Sequence, residues 1–156
     1  MSSIVKLRYS GLFYLISLVF VVAACKTASS LPAQQGGITE KYWKLVEING
    51  KPVVLDESTS REPHIILKEA DNRVNGNGGC NTLFGTYEID RAANRIRFSQ
   101  MGSTMMACIN MEIENELKKV LEMVDNYSLS ADGKYLSLNR AKMAPLAKFE
   151  VVYLKF

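Results

Sequence analysis

Between residues 42 and 154 the chain is written mostly in short runs where apolar and polar residues alternate, the period of a strand with one face in a core and the other in water. Tyr42 to Ile48 (YWKLVEI) mixes aromatic and β-branched residues and runs into Asn49-Gly50, a dipeptide suited to a two-residue hairpin, with Lys51 to Leu55 returning. Further strand candidates are His64 to Glu69, Arg73 to Gly76, Leu83 to Ile89 and Arg95 to Gln100. The polar loop Asp56 to Pro63 precedes them, and Asp71-Asn72, a glycine cluster and Asp90 to Asn94 separate them. Asn126 to Ser130 and Lys134 to Asn139 flank Asp132-Gly133, a second hairpin signal, and Ala147, Phe149, Val151 and Tyr153 alternate through a last strand to Leu154. One segment has a different period. Asn110 to Asp125 sets Ile113, Leu117, Val120, Leu121 and Val124 on one helical face, places Glu112 and Glu114 early where the helix dipole favours acids, and makes Glu114 and Lys118 an expected exposed i,i+4 pair. Links this short suit antiparallel meanders, and open sheet edges invite aggregation. The expected fold is therefore mainly β: a small antiparallel β-barrel-like, strongly curled sheet with one amphipathic helix packed on it.

The longest apolar run lies ahead of these elements. Gly11 to Ala24 (GLFYLISLVFVVAA) carries no charge and follows a stretch with Lys6, Arg8 and no acid, the positive flank of an export signal. As a helix it would rise only about 21 Å against a hydrocarbon core of about 30 Å, which reads as a signal peptide rather than a permanent span. It closes on Val22-Ala23-Ala24-Cys25, which resembles the bacterial lipobox and makes Cys25 the expected lipidation site. Two or three acyl chains there would anchor the mature protein stably to a membrane, since one chain alone is marginal. Residue 26 is Lys rather than Asp, so the inner-membrane retention signal known from enteric bacteria is missing and the expected address is the outer membrane of a Gram-negative cell envelope.

Composition narrows the picture further. Without the leader at 1–24 the chain keeps 132 residues, enough for one domain and a modest core, and 17 basic residues against 16 acidic. That balance gives no reason to expect nucleic acid as a partner. Lys26 to Thr39 is small, polar and broken by Pro32 and Gly36-Gly37, so residues 25–39 are expected to form a lipidated, flexible tether and 40–156 the domain, a monomer.

The most unusual stretch is Val74-Asn75-Gly76-Asn77-Gly78-Gly79-Cys80-Asn81. It lacks the Gly-Lys-Ser/Thr ending of a phosphate loop and the third glycine of a dinucleotide fingerprint, and a strand rather than a helix is expected after it. A bulge or tight turn where strands pass closely is the simpler reading. Val74-x-Gly76-x-x-Gly79-Cys80-Asn81-x-x-x-Gly85-x-Tyr87, followed by Met101-x-Ser103-Thr104-x-Met106-Ala107-Cys108, resembles the two-part signature of the META domain family, which includes heat-inducible HslJ-like lipoproteins. Trp43-x-Leu45, Ile48-x-Gly50-x-Pro52, Leu136-x-Leu138 and Phe149 extend the resemblance from about Tyr42 to the carboxyl end. It implies a small β-barrel-like domain with a helix after the second cysteine of that signature, and an association with heat and antibiotic stress at the cell envelope. It supplies no catalytic residues.

With Cys25 committed to lipid, Cys80 and Cys108 are an even pair in an oxidising compartment and are expected to form a structural disulfide. Two free thiols, or a catalytic or metal-binding thiol, are the alternatives. Against the last stand the missing CxxC and the single histidine, His64, which starts a strand and reads as a surface residue. Gly76, Gly78, Gly79, Asn81, Ser103 and Thr104 are the candidates for a binding loop, although hydroxyls at strand ends more often cap backbone groups. Met101, Met105, Met106 and Met111 crowd one stretch and are expected to fill core gaps rather than to bind copper. No GxSxG, HExxH or specific carboxylate pair appears, and no cofactor or metal is expected. The expected function is that of a non-catalytic lipoprotein that binds a protein or envelope component under stress. An inhibitor of lysozymes or proteases acting through the Gly76 to Asn81 loop, and a carrier of a small hydrophobic ligand, are the alternatives.

Overall fold

The computed structural model describes residues 37–55 and 61–153, so the expected leader, the expected lipidation site Cys25 and the expected tether up to residue 36 lie outside the described residues. Within them the chain forms β1 (Tyr42–Ile48), β2 (Lys51–Pro52), β3 (His64–Lys68), β4 (Arg73–Asn77), β5 (Thr82–Asp90), β6 (Arg95–Ser103), α1 (Glu112–Met123), β7 (Asn126–Leu129), β8 (Tyr135–Asn139) and β9 (Ala147–Val152). The strands make one antiparallel sheet in the order β2-β1-β3-β4-β5-β6-β7-β8-β9. Because β1 also pairs with β9, from Tyr42 opposite Val152 to Ile48 opposite Ala147, the sheet closes into a ring, with β2 lying outside it as a short flap.

Alternation explains which residues fill the ring. In β3 and β9 every second residue is buried, Ile65 and Leu67 in one, Ala147, Phe149 and Val151 in the other. In β1 the alternation slips by one residue at Val46-Glu47, where the pairing with β9 shifts register between Leu45 and Glu47; this bulge returns Ile48 to the interior. Trp43, Tyr87, Phe149, Leu45, Leu83, Leu136 and Leu138 are all almost fully buried. Side chains of this size fill a ring of so few strands, and each contributes about 1.5 to 3 kcal/mol by leaving water. The carrier reading required an interior left open, and these side chains occupy it.

The helix links the two least extensively paired neighbours. β6 and β7 meet only at Arg95 opposite Asn126, and α1, inserted between them in the chain, packs against β6 and β1. Leu117, Val120, Leu121 and Val124 are buried as its periodicity predicts, whereas Ile113, one turn earlier, is only half-buried. The helix starts at Glu112 rather than Asn110, whose side chain accepts the Glu112 N–H at 2.9 Å.

Two other boundaries differ from expectation for reasons the side chains show. The second strand stops at Pro52 instead of reaching Leu55: proline offers no N–H, and only Val53 continues the ladder, donating to the Val46 carbonyl, while Val54 and Leu55 are exposed. At the amino end, Ile38 and Thr39, placed in the tether by their surroundings in sequence, are buried. The reason is the indole of Trp43, whose buried N–H needs an acceptor and donates to the Ile38 carbonyl at 2.7 Å. Just after, the Glu40 N–H bonds the Leu67 carbonyl and its carboxylate pairs with Lys68. The chain therefore enters the ring at the β3–β4 turn. The glycine cluster begins at the opposite end of β4, about 17 Å away for a five-residue strand.

Candidate functional site

The glycine run makes the turn from β4 into β5. Asn77 is buried, and its side-chain oxygen accepts the Gly79 N–H at 2.8 Å, while the Gly78 N–H donates to the Asn81 carbonyl at 2.9 Å. Gly79 has φ +119°, a conformation costly for any residue with a β-carbon. Gly78 is required for a different reason: a β-carbon there would run into the side chain of Glu114. The cluster is thus the seat on which the start of α1 rests.

Asn81 is the hub of this seat. Its main-chain N–H donates to Glu114 Oε2 at 2.6 Å and its Nδ2 to Glu114 Oε1 at 3.0 Å. The same Nδ2 donates to the Met106 carbonyl at 3.1 Å, and Oδ1 accepts from the Met106 N–H at 2.7 Å and from the Thr104 hydroxyl at 2.8 Å. One amide side chain therefore holds both the helix and the segment leading to it. Glu114 also accepts the Cys80 N–H at 3.3 Å and pairs with Lys118 at 3.1 Å. Burial alone pushes its carboxyl up, but the Asn81 N–H, Lys118 and the Asn81 amide together outweigh it and hold the group below the usual carboxylate range.

The second half of the signature is tied to the same place. Thr104 Oγ1 accepts the Thr82 N–H at 3.1 Å, Ser103 Oγ accepts from Lys118 at 3.2 Å, and Cys80 and Cys108 are joined by a disulfide with Cα atoms 6.1 Å apart. Above this braced base the segment from Met105 to Ile109 stands in solvent: Met105 is 99% and Ile109 96% exposed, and Met106 about half. Just beyond it an open groove of about 490 Å³ runs between β2 and the start of α1, lined by Pro52, Val53, Val54, Asn110 and Ile113 among others.

The structure brings Gly76, Gly78, Gly79, Cys80, Asn81, Ser103, Thr104 and Cys108 together, but in unequal roles. Gly76, Gly78, Gly79 and Asn81 are buried, so the surface offered at this end is the Met105 to Ile109 segment they support, not the glycine turn itself. A loop this enclosed is also a poor inhibitory wedge. The Glu114–Lys118 pair forms, yet it is not the exposed pair its spacing suggests, because Glu114 shares the stripe of Leu117 and Leu121 and is drawn inward by three donors. Sequence reasoning missed Glu114 as a site residue; its stripe position, an acid three residues before a core leucine, is the signal that could have found it. The methionines divide. Met101 packs against the core, but Met105 and Met106 fill no gap: the main chain around them is held by Asn81 and their side chains are left in water. His64 is half-buried on the outer face, stacked on Tyr42 at 4.3 Å. Among the described residues no group of three or more His, Cys, Asp or Glu is placed to hold a metal ion.

Comparison with known proteins agrees with this geometry. The model of the META domain matches residues 36–153. An NMR structure of a protein from Burkholderia xenovorans is similar, with TM-score 0.56 and 19% identity over 74% of this chain and 83% of that one. So is the crystal structure of a DUF4847 family protein from Bacteroides vulgatus, with TM-score 0.51 and 16% identity over 76% of this chain and 96% of that one. At such identities these two likenesses concern the fold alone. No curated protein matches the chain. The family match spans the whole ring and both halves of the Asn81 lock, and the chain belongs to the META domain family.

Proposed function

We propose that this is a non-catalytic cell-envelope lipoprotein, anchored by lipid on Cys25 to the outer membrane of a Gram-negative bacterium, whose domain acts under envelope stress by binding a protein or envelope component through its Met105 end. The observation that carries the binding half is the exposure of Met105 and Ile109, 99% and 96%, on a segment whose backbone is braced by Asn81 and a disulfide. A rigid base under exposed apolar side chains is a binding arrangement, since little order has to be gained on contact. The polar groups of the signature support a structural rather than chemical use, because Asn81, Thr104 and Glu114 bond partners inside the domain. The anchor rests on the leader and lipobox-like residues, and the stress role on the family resemblance. A lipid on Cys25 would tether the domain through the chain that enters it at Glu40.

The test is complementation. A deletion strain should lose tolerance to heat, detergent or membrane-crossing antibiotics. The wild-type gene should restore it, and Cys25→Ala should not. The double variant Met105→Asp/Ile109→Asp should be folded and anchored yet fail to restore tolerance. A deletion strain as tolerant as its parent would remove the stress role, and full rescue by the double variant would remove the Met105 end as the binding surface.

A further inference from the structure

A thioether has no acid–base equilibrium to tune, so its reactivity toward two-electron oxidants follows access to the sulfur lone pairs. Exposure ranks the described methionines: Met105 at 99%, Met143 at 64%, Met106 at 54% and Met123 at 40%, with Met101 and Met111 half-buried. Met105 is set apart by more than its rank. Thr104 before it is held through its N–H and its hydroxyl by Thr82 and Asn81, and Met106 after it is held through both its N–H and its carbonyl by Asn81. The backbone therefore fixes residue 105 from both sides while its side chain supports nothing. Cys80 and Cys108 beside it are already oxidised to a disulfide and do not compete for oxidant as thiols.

We propose that Met105 is the domain's site of reversible oxidation by peroxides or hypohalous acids, and that its sulfoxide forms without cost to the fold. With a peroxide, a sulfur lone pair attacks one oxygen, the S–O bond forms, the O–O bond breaks, and water or an alcohol departs with the electron pair. With a hypohalous acid, sulfur takes the halogen and releases hydroxide, and water then displaces halide from the halosulfonium ion with loss of two protons, one of which the hydroxide takes up, so that the net products are the sulfoxide, halide and a proton. The sulfide is oxidised by two electrons and the oxidant reduced by two. The reverse step needs a dithiol reductant of the methionine sulfoxide reductase class, which takes the oxygen away as water and becomes a disulfide. The added oxygen on Met105 points into water that the side chain already meets. Met101 is the contrast. Its sulfur packs against the backbone of Gly85 and its side chain against the core, so oxygen added there would have to displace its neighbours. This inference is independent of the anchor and of the binding role.

The experiment titrates the purified full chain with substoichiometric hydrogen peroxide or hypochlorite and locates each gain of about 16 Da by peptide mass mapping. The first gain should fall on Met105, about tenfold faster than on Met101, with the far-ultraviolet circular dichroism and melting temperature unchanged. A methionine sulfoxide reductase with thiol should return the original mass. Met105→Leu should abolish the first gain while keeping the same melting temperature. First oxidation at Met143 or Met101, a melting temperature that falls in step with the Met105 sulfoxide, or a sulfoxide that the reductase cannot remove, would each overturn the proposal.

Discussion

Asn81 is bound twice by Glu114, through its main-chain N–H at 2.6 Å and its side-chain amide at 3.0 Å, so a residue of the β4–β5 turn and a residue of the helix 33 positions later act as one fastening. The arrangement buries a carboxylate, which is costly unless every oxygen finds a donor. Here the donors come from the turn and from Lys118.

Removing the carboxylate should therefore be severe. Glu114→Ala strands the Asn81 and Cys80 donors in the interior and is expected to cost about 3 kcal/mol or more, a large share of the stability of a domain this small. Urea denaturation monitored by tryptophan emission from the buried Trp43 checks it; a loss no greater than that of a typical exposed-site substitution would refute the lock.

The same carboxylate predicts an acid dependence. Its folded pKa lies below the ordinary 4.5, so its contribution is fully present above that value and is lost as the pH falls through the lower, folded one. Denaturation midpoints should be level with respect to this group near neutrality and decline below about pH 4.5, and Glu114→Gln should show a shallower decline.

The disulfide closes a loop of 28 residues, and in the chain-entropy model its removal costs about 3 to 4 kcal/mol. Cys80→Ser/Cys108→Ser is expected to fold still, because the Asn81 and Glu114 contacts do not pass through sulfur, but with a lower midpoint. Alkylation of the untreated protein should find neither Cys80 nor Cys108 reactive without reductant and denaturant.

Along the helix the expected losses differ by position. Leu117 is completely buried, and Leu117→Ala should cost about 2 to 5 kcal/mol. Ile113→Ala should cost distinctly less, since Ile113 is half-exposed at the groove beside β2. Equal losses at the two sites would mean that the start of the helix is packed more tightly than its exposure indicates.

The strands were legible because alternation and turn residues are local signals: Tyr42–Ile48 stands where the pattern puts it, and the other strand ends that differ do so mostly by one or two residues. The helix was legible for the same reason. What local pattern cannot convey is a polar group satisfied by a distant partner. Glu114 looks like a surface acid until the Asn81 amide arrives from the β4–β5 turn, and Ile38 looks like tether until the Trp43 indole claims its carbonyl. The residues of the candidate site were named from sequence and lie together in the fold, yet their sidedness was not legible: burial of the glycines and exposure of Met105 follow from how the helix seats on the turn, which no single stretch of sequence encodes.

Closure of the ring by β1 and β9 also sets an order of events. Tyr42 and Val152, near the two ends of the described chain, are partners, so the strand made first must wait for the strand made last. Until Ala147–Val152 is available, β1 has one long edge unpaired and the interior stays open beside Trp43 and Leu45. Contacts between such remote positions slow folding. During that interval the chain is the kind of species that holdase chaperones protect, and a truncation within β9 would make the interval permanent.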